Sequence, residues 1–191
     1  MKTPIVLTCL FILCANVGAV LPQGAGQKAE AFLFSNVKYF HRFTKDDQHE
    51  YTPDGQADLQ AWTDMVTIHL YRKAKDGTAL AATANAVLEN YKANQAVVVN
   101  TASVPRTKAK PAEHLIVVSF GRPAFIEVAF ARFRMHGGVG SAVIYSHQKG
   151  GQRNECVAGQ AWAEHREESD AMGRDAENIH SEIIPRVPTR T

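Results

Sequence analysis

The stretch "AEHLIVVSFGRPAFIEVAFARFRMHGGVGSAVIYSHQKGG", residues 112–151, alternates apolar runs with His, Glu and Arg and is punctuated twice by glycine. It divides into "AEHLIVVSF", "AFIEVAFARFRM" and "SAVIYSHQ", separated by "GRP" and "HGGVG". Runs this rich in Val, Ile and Phe, bounded by Gly and Pro, are the pattern of strands joined by tight turns. With no helix between them the strands must be antiparallel, because a parallel connection needs a crossover of a dozen or more residues. The stretch predicts a three-stranded meander, and Gly137, Gly138 and Gly140 read as hairpin glycines.

Upstream, "MVTIHLYR" puts Val66, Ile68 and Leu70 on one side and Thr67, His69 and Tyr71 on the other, the period of a half-buried strand. A turn at Asp76-Gly77 follows. Residues 78–94 carry Leu80, Ala84, Val87 and Tyr91 at spacings of three and four, which predicts a helix capped by Thr78. "AVVVNTASV" reads as a strand, and the two prolines of "PRTKAKP", which cannot donate to a ladder, read as a loop. Toward the N-terminus "AFLFSNVKYFHRF" suits one or two strands, and the polar "TKDDQHEYTPDGQ" suits a loop.

Ala158, Trp162, His165, Ser169, Met172, Ala176, Ile179 and Ile183 alternate spacings of four and three, which aligns them on one stripe. This predicts a C-terminal helix, weakened at Gly173 and stopped by Pro185. The expected fold class is therefore α+β: a mostly antiparallel sheet, built as β-α-β and then a meander, with one internal helix and a C-terminal helix packed on it.

The first residues set the destination. Lys2 precedes the apolar run Ile5–Ala15, and Val17-Gly18-Ala19 supplies small residues before a cut. That is the order of a secretory signal peptide. The run falls well short of the roughly 20 residues a membrane helix needs, so no permanent membrane span is expected. Neither Cys9 nor Cys14 follows a small residue, which argues against a lipid anchor. The expected organisation is a signal peptide at 1–19, one α+β domain at 20–184 and a flexible tail at 185–191, exported to the periplasm or the medium. Cleavage leaves Cys156 as the one cysteine, so no internal disulfide forms. It also removes one of 21 basic residues against 19 acids, and so small an excess argues against nucleic acid as a partner.

Chemistry is sparsely signalled. "GVGSAV" lacks the spacing and following helix of a nucleophile elbow, and no H-x-H, C-x-x-C or H-E-x-x-H pair suggests a metal. No cofactor is expected. Asp46, Asp47, His49 and Glu50 lack the spacing and glycine of a calcium loop. The candidate binding residues are those that alternation brings to strand faces: His69, Tyr71, His114, Tyr145 and His147. The candidate catalytic residues are His114 or His147 as general base, because imidazole titrates near neutrality, with Glu113 or Glu127 as orienter. Glu113 and Glu127 are alternatively structural, if they pair with Arg132 or Arg134 across neighbouring strands.

At "KPAEHLIVVSFG", "FARF" and "VIYSHQKGG", with the Trp162-bearing tail, the chain resembles small exported bacterial proteins of unknown function. The order of its elements is similar to that of PsbP- and Mog1-like α+β sandwiches. The resemblance implies a fold and no activity.

The expectation is an exported, non-catalytic protein that binds a small ligand or another protein. The alternatives are a small hydrolase using a His base on the sheet face, and an assembly protein forming a homodimer through its C-terminal helix.

Overall fold

The computed structural model describes residues 31–108 and 110–150 of the chain. These form eight strands and one helix: β1 (Ala31–Phe34), β2 (Val37–Lys45), β3 (Gln48–Pro53), β4 (Asp64–Tyr71), α1 (Gly77–Ala93), β5 (Val97–Val104), β6 (Glu113–Gly121), β7 (Phe125–His136) and β8 (Val139–Gly150). The expected signal peptide at 1–19 and expected tail at 185–191, with Cys156 and the C-terminal stripe at 158–183, lie outside the described residues.

All eight strands belong to one sheet in the order β1-β2-β3-β4-β8-β7-β6-β5, and every neighbouring pair is antiparallel. The meander β6-β7-β8 forms as its sequence predicts. The fold class, expected as α+β with a C-terminal helix packed on the sheet beside the internal one, needs correction, since no second helix is seen among the described residues. The described residues make one large antiparallel sheet with a single helix.

One source of the difference is β3. "QHEYTP" reads as loop because it is polar, yet it pairs with both β2 and β4 and buries His49 and Tyr51 on alternate positions. Asp46, at φ 52°, and Asp47 turn the chain between β2 and β3. The β-α-β unit feeds the same sheet, with β8, β7 and β6 lying between its strands β4 and β5. Helix α1 is thus a crossover spanning half the sheet. Its cap is Asp76 rather than Thr78, the Asp76 carboxylate accepting from the Ala79 N–H at 2.8 Å.

The helix buries Leu80, Ala84, Val87 and Tyr91 against Ile116, Val118 and Phe120 of β6 and Ala129, Ala131 and Phe133 of β7. Small residues beneath it let the helix approach closely. Gly140, at the start of β8, lies against Ala74 and Leu80 and donates its N–H to the Ala74 carbonyl at 2.7 Å.

The opposite face holds a second core of Phe32, Phe34, Tyr39, Tyr51, Val66, Ile68, Phe130, Val143 and Tyr145. The Phe34 and Tyr145 ring centroids are 5.2 Å apart, although β1 and β8 are four strand steps apart, about 19 Å in a flat sheet. The sheet is therefore strongly coiled, and this concave face closes on its own aromatic residues.

Candidate functional site

Helix α1 covers β6 and β7 and leaves the β3 and β4 part of the same face open. Between them lies a groove of about 690 Å³. Its walls are Val87 and Tyr91 of α1, Trp62 before β4, and Phe120 and Phe125; its floor is Glu50, Met65, Thr67, His69, Glu127, Ser146 and Gln148. The alternation that buries Val66, Ile68 and Leu70 on one face presents Met65, Thr67, His69 and Tyr71 to the other.

Glu127 is the unusual member, a carboxyl only 8% exposed between the buried apolar residues Ile126 and Val128. Burial raises its pKa, and hydrogen bonds from Ser146 and Gln148 and the charge of Arg122 offset this in part. Burial likewise raises Glu50, against a hydrogen bond at 2.7 Å from the Gln48 amide. The two carboxyls stand on β3 and β7, three strand steps or about 14 Å apart across the sheet, too far to share a proton. His69 stacks on Tyr71 with ring centroids 4.5 Å apart. Burial lowers its pKa, Asp47 opposing and His49 adding to the effect, which favours the neutral ring.

The expected binding face divides between the two sides of the sheet. His69, Tyr71 and His114 lie on the helix side, but His114 sits near the β5 edge, outside the groove, its Nδ1 2.9 Å from Ser103 Oγ. Tyr145 is paired with Val66 and His147 with Asp64, so both belong to the concave side. Of the candidate orienters, Glu113 is bound by Arg132 and, at 3.0 Å, by Arg134, the structural ion pairing that was the alternative. Glu127 faces away from His147.

His147 instead meets Asp64, with Nδ1 2.9 Å from Oδ1. The same oxygen accepts from the Tyr145 hydroxyl at 2.8 Å, and Oδ2 accepts from the Thr63 hydroxyl at 2.8 Å. Burial by itself raises the Asp64 carboxyl. These hydrogen bonds and the His147 charge outweigh it and hold the group well below the usual carboxylate range. An ionised carboxylate only accepts, so Nδ1 carries the proton and Nε2 is the basic nitrogen of the neutral ring. Asp64 escaped sequence reading although it continues the Val66-Ile68-Leu70 alternation, where an acid at the end of an apolar stripe is the signal. Trp62, Arg122 and Phe125 carry no local signal, because only the fold brings their loops and strand ends to one groove.

Asp46, Asp47, His49 and Glu50 do not form a cation site. Asp47 accepts from Arg72 at 2.6 Å, and His49 and Glu50 point to opposite faces. Among the described residues, no three His, Cys, Asp or Glu side chains are grouped to hold a metal, and no helix is long and apolar enough to cross a membrane.

No family model matches the chain. No curated protein matches it in sequence. Among solved structures, a mutant of the protein Mog1 is similar over 71% of this chain and 83% of that one, with 11% identity and a TM-score of 0.39. That likeness is too distant to carry an activity across.

Proposed function

We propose that the protein is an exported, non-catalytic binding protein that seats a small amphiphilic ligand in the groove beside α1. The observation that carries this reading is the buried Glu127 on the floor of a groove walled by Trp62, Tyr91, Phe120 and Phe125. Small-molecule sites combine apolar walls with a few fixed polar groups, and about 690 Å³ falls within their usual range of roughly 300–1,000 Å³. The floor sets the Glu127 and Glu50 carboxyls beside the polar groups of Thr67, His69, Ser146 and Gln148, and a carboxyl accepts from a hydroxyl or amine, so the fitting ligand joins an apolar body to one of these. Export rests on the N-terminal pattern of Lys2, Ile5–Ala15 and Ala19.

The test is a fluorescence-monitored thermal-shift screen of amphiphilic amines and alcohols on residues 20–191, repeated on Thr67→Trp, which fills the groove floor. Ligands that stabilise the parent protein lose their effect in the variant. Stabilisation that survives the tryptophan sinks the reading.

The Asp64–His147 contact favours a second reading, a hydrolase with His147 as general base and Asp64, rather than Glu113 or Glu127, as orienter. Its measure is turnover of activated esters by the parent and by His147→Ala. Equal rates dismiss it.

A further inference from the structure

β5 is the last strand of the sheet, and among the described residues no strand lies along its outer edge. Such an edge offers a row of N–H and C=O groups to any incoming strand, and proteins ordinarily protect it with lysine, proline, short length or a bulge. β5 is eight residues long and reads "VVVNTASV", without a charge or a proline. Val97, Val98 and Val104 are 59%, 37% and 52% exposed. The opposite edge differs: β1 has four residues and turns Phe32 and Phe34 into the core.

β5 does contain a bulge, between Val98 and Asn100. In an unbroken strand Val97 and Val104, seven positions apart, would face opposite sides. The register shift pairs Val97 with Ser119 and Val104 with Glu113, which share one side of β6, so the two valines lie on the same face. A strand with an exposed valine at each end of one face is complementary to its own antiparallel copy, because Val97 of each then meets Val104 of the other. The strand itself brings no like charges to that pairing, being uncharged from end to end. Pairing β5 with β1 of another molecule would leave edges open and propagate, whereas β5 with β5 closes about a two-fold axis.

We propose that β5 is a homodimerisation edge that pairs antiparallel with β5 of a second copy of this chain, making one continuous sheet through the two-fold axis. The test is sedimentation of residues 20–191 from micromolar to near-millimolar concentration, beside the double variant Val97→Lys/Val104→Lys, with amide hydrogen exchange on the parent protein. A reversible dimer, weakened at least tenfold in Kd by the two lysines, with β5 amides gaining protection as concentration rises, is the expected result. A parent protein monomeric throughout overturns the proposal. So does a dimer that survives the lysines, or one whose β5 amides exchange at the monomer rate. The exchange measurement decides the matter even where the lysine variant fails to fold.

Discussion

Replacing Gly140 by alanine sets a methyl group against a wall that has little room to retreat. The new Cβ would lie 2.8 Å from the Cβ of Ala74 and 3.2 Å from Cδ1 of Leu80. Carbon atoms pack best at roughly 3.5–4.0 Å, so Ala74 and β8 must separate by about 0.7 Å. Ala74 is 2% exposed, its carbonyl accepts from Gly140 at 2.7 Å and its N–H donates to Tyr71 at 2.9 Å, so that movement stretches a hydrogen bond and lifts Leu80 from the sheet. Overpacking of this kind costs about 1–3 kcal/mol. For a protein of this length, about 2 kcal/mol lowers the melting temperature by roughly 4–8 °C. The assay is thermal and urea unfolding of Gly140→Ala, Ala74→Gly and the double variant. If the Cβ–Cβ clash is the cause, the double variant is more stable than the sum of the single losses implies, by about 1 kcal/mol, with Leu80 accounting for the remainder. An unchanged melting temperature for Gly140→Ala, or strict additivity, refutes the reasoning.

Two pH-dependent effects follow from the carboxyls. The Glu127 pKa is raised in the folded protein, so the group is most favourable below its unfolded value of about 4.3 and costs stability as pH rises through the folded value. Glu127→Gln therefore melts above the parent protein at pH 7.5 and level with it at pH 4, and parallel melting curves across that interval count against a buried carboxyl. Asp64 has the opposite sign. Its pKa is depressed, so its contribution is present above its unfolded value of about 3.9 and is lost as pH falls through the folded value. Asp64→Asn keeps the shape but weakens the charge-assisted bonds from His147, Tyr145 and Thr63, a loss of about 2 kcal/mol at pH 7 in urea titrations that narrows below pH 4. A loss independent of pH points to packing rather than charge.

Local periodicity was a good guide where one face of an element is uniformly apolar. Val66, Ile68 and Leu70 marked β4, and Leu80, Ala84, Val87 and Tyr91, all buried, marked α1. It failed at β3, where one face lines the groove with Gln48 and Glu50 and the other buries His49 beside Tyr51, so hydropathy falls while strand pairing persists. The glycines of the last hairpin show the same limit. Gly137 and Gly138 take φ of 55° and 79°, the left-handed turn conformation that "HGGVG" suggests. Gly140 is required for a contact with Ala74, sixty-six positions away in the chain, which no local pattern can express.

By itself, the sequence determined the meander, the helix and the two-sided character of β4, because apolar spacing along one strand or helix is set by the backbone repeat of that element alone. Only the tertiary structure decided which side of the sheet each stripe faces. Register pairs Val66 with Tyr145 and so parts Tyr145 and His147 from His69 and Tyr71; the same ladder brings Asp64 to His147. Directly paired residues must share a face, and which residues are paired depends on hydrogen bonds between segments more than seventy positions apart.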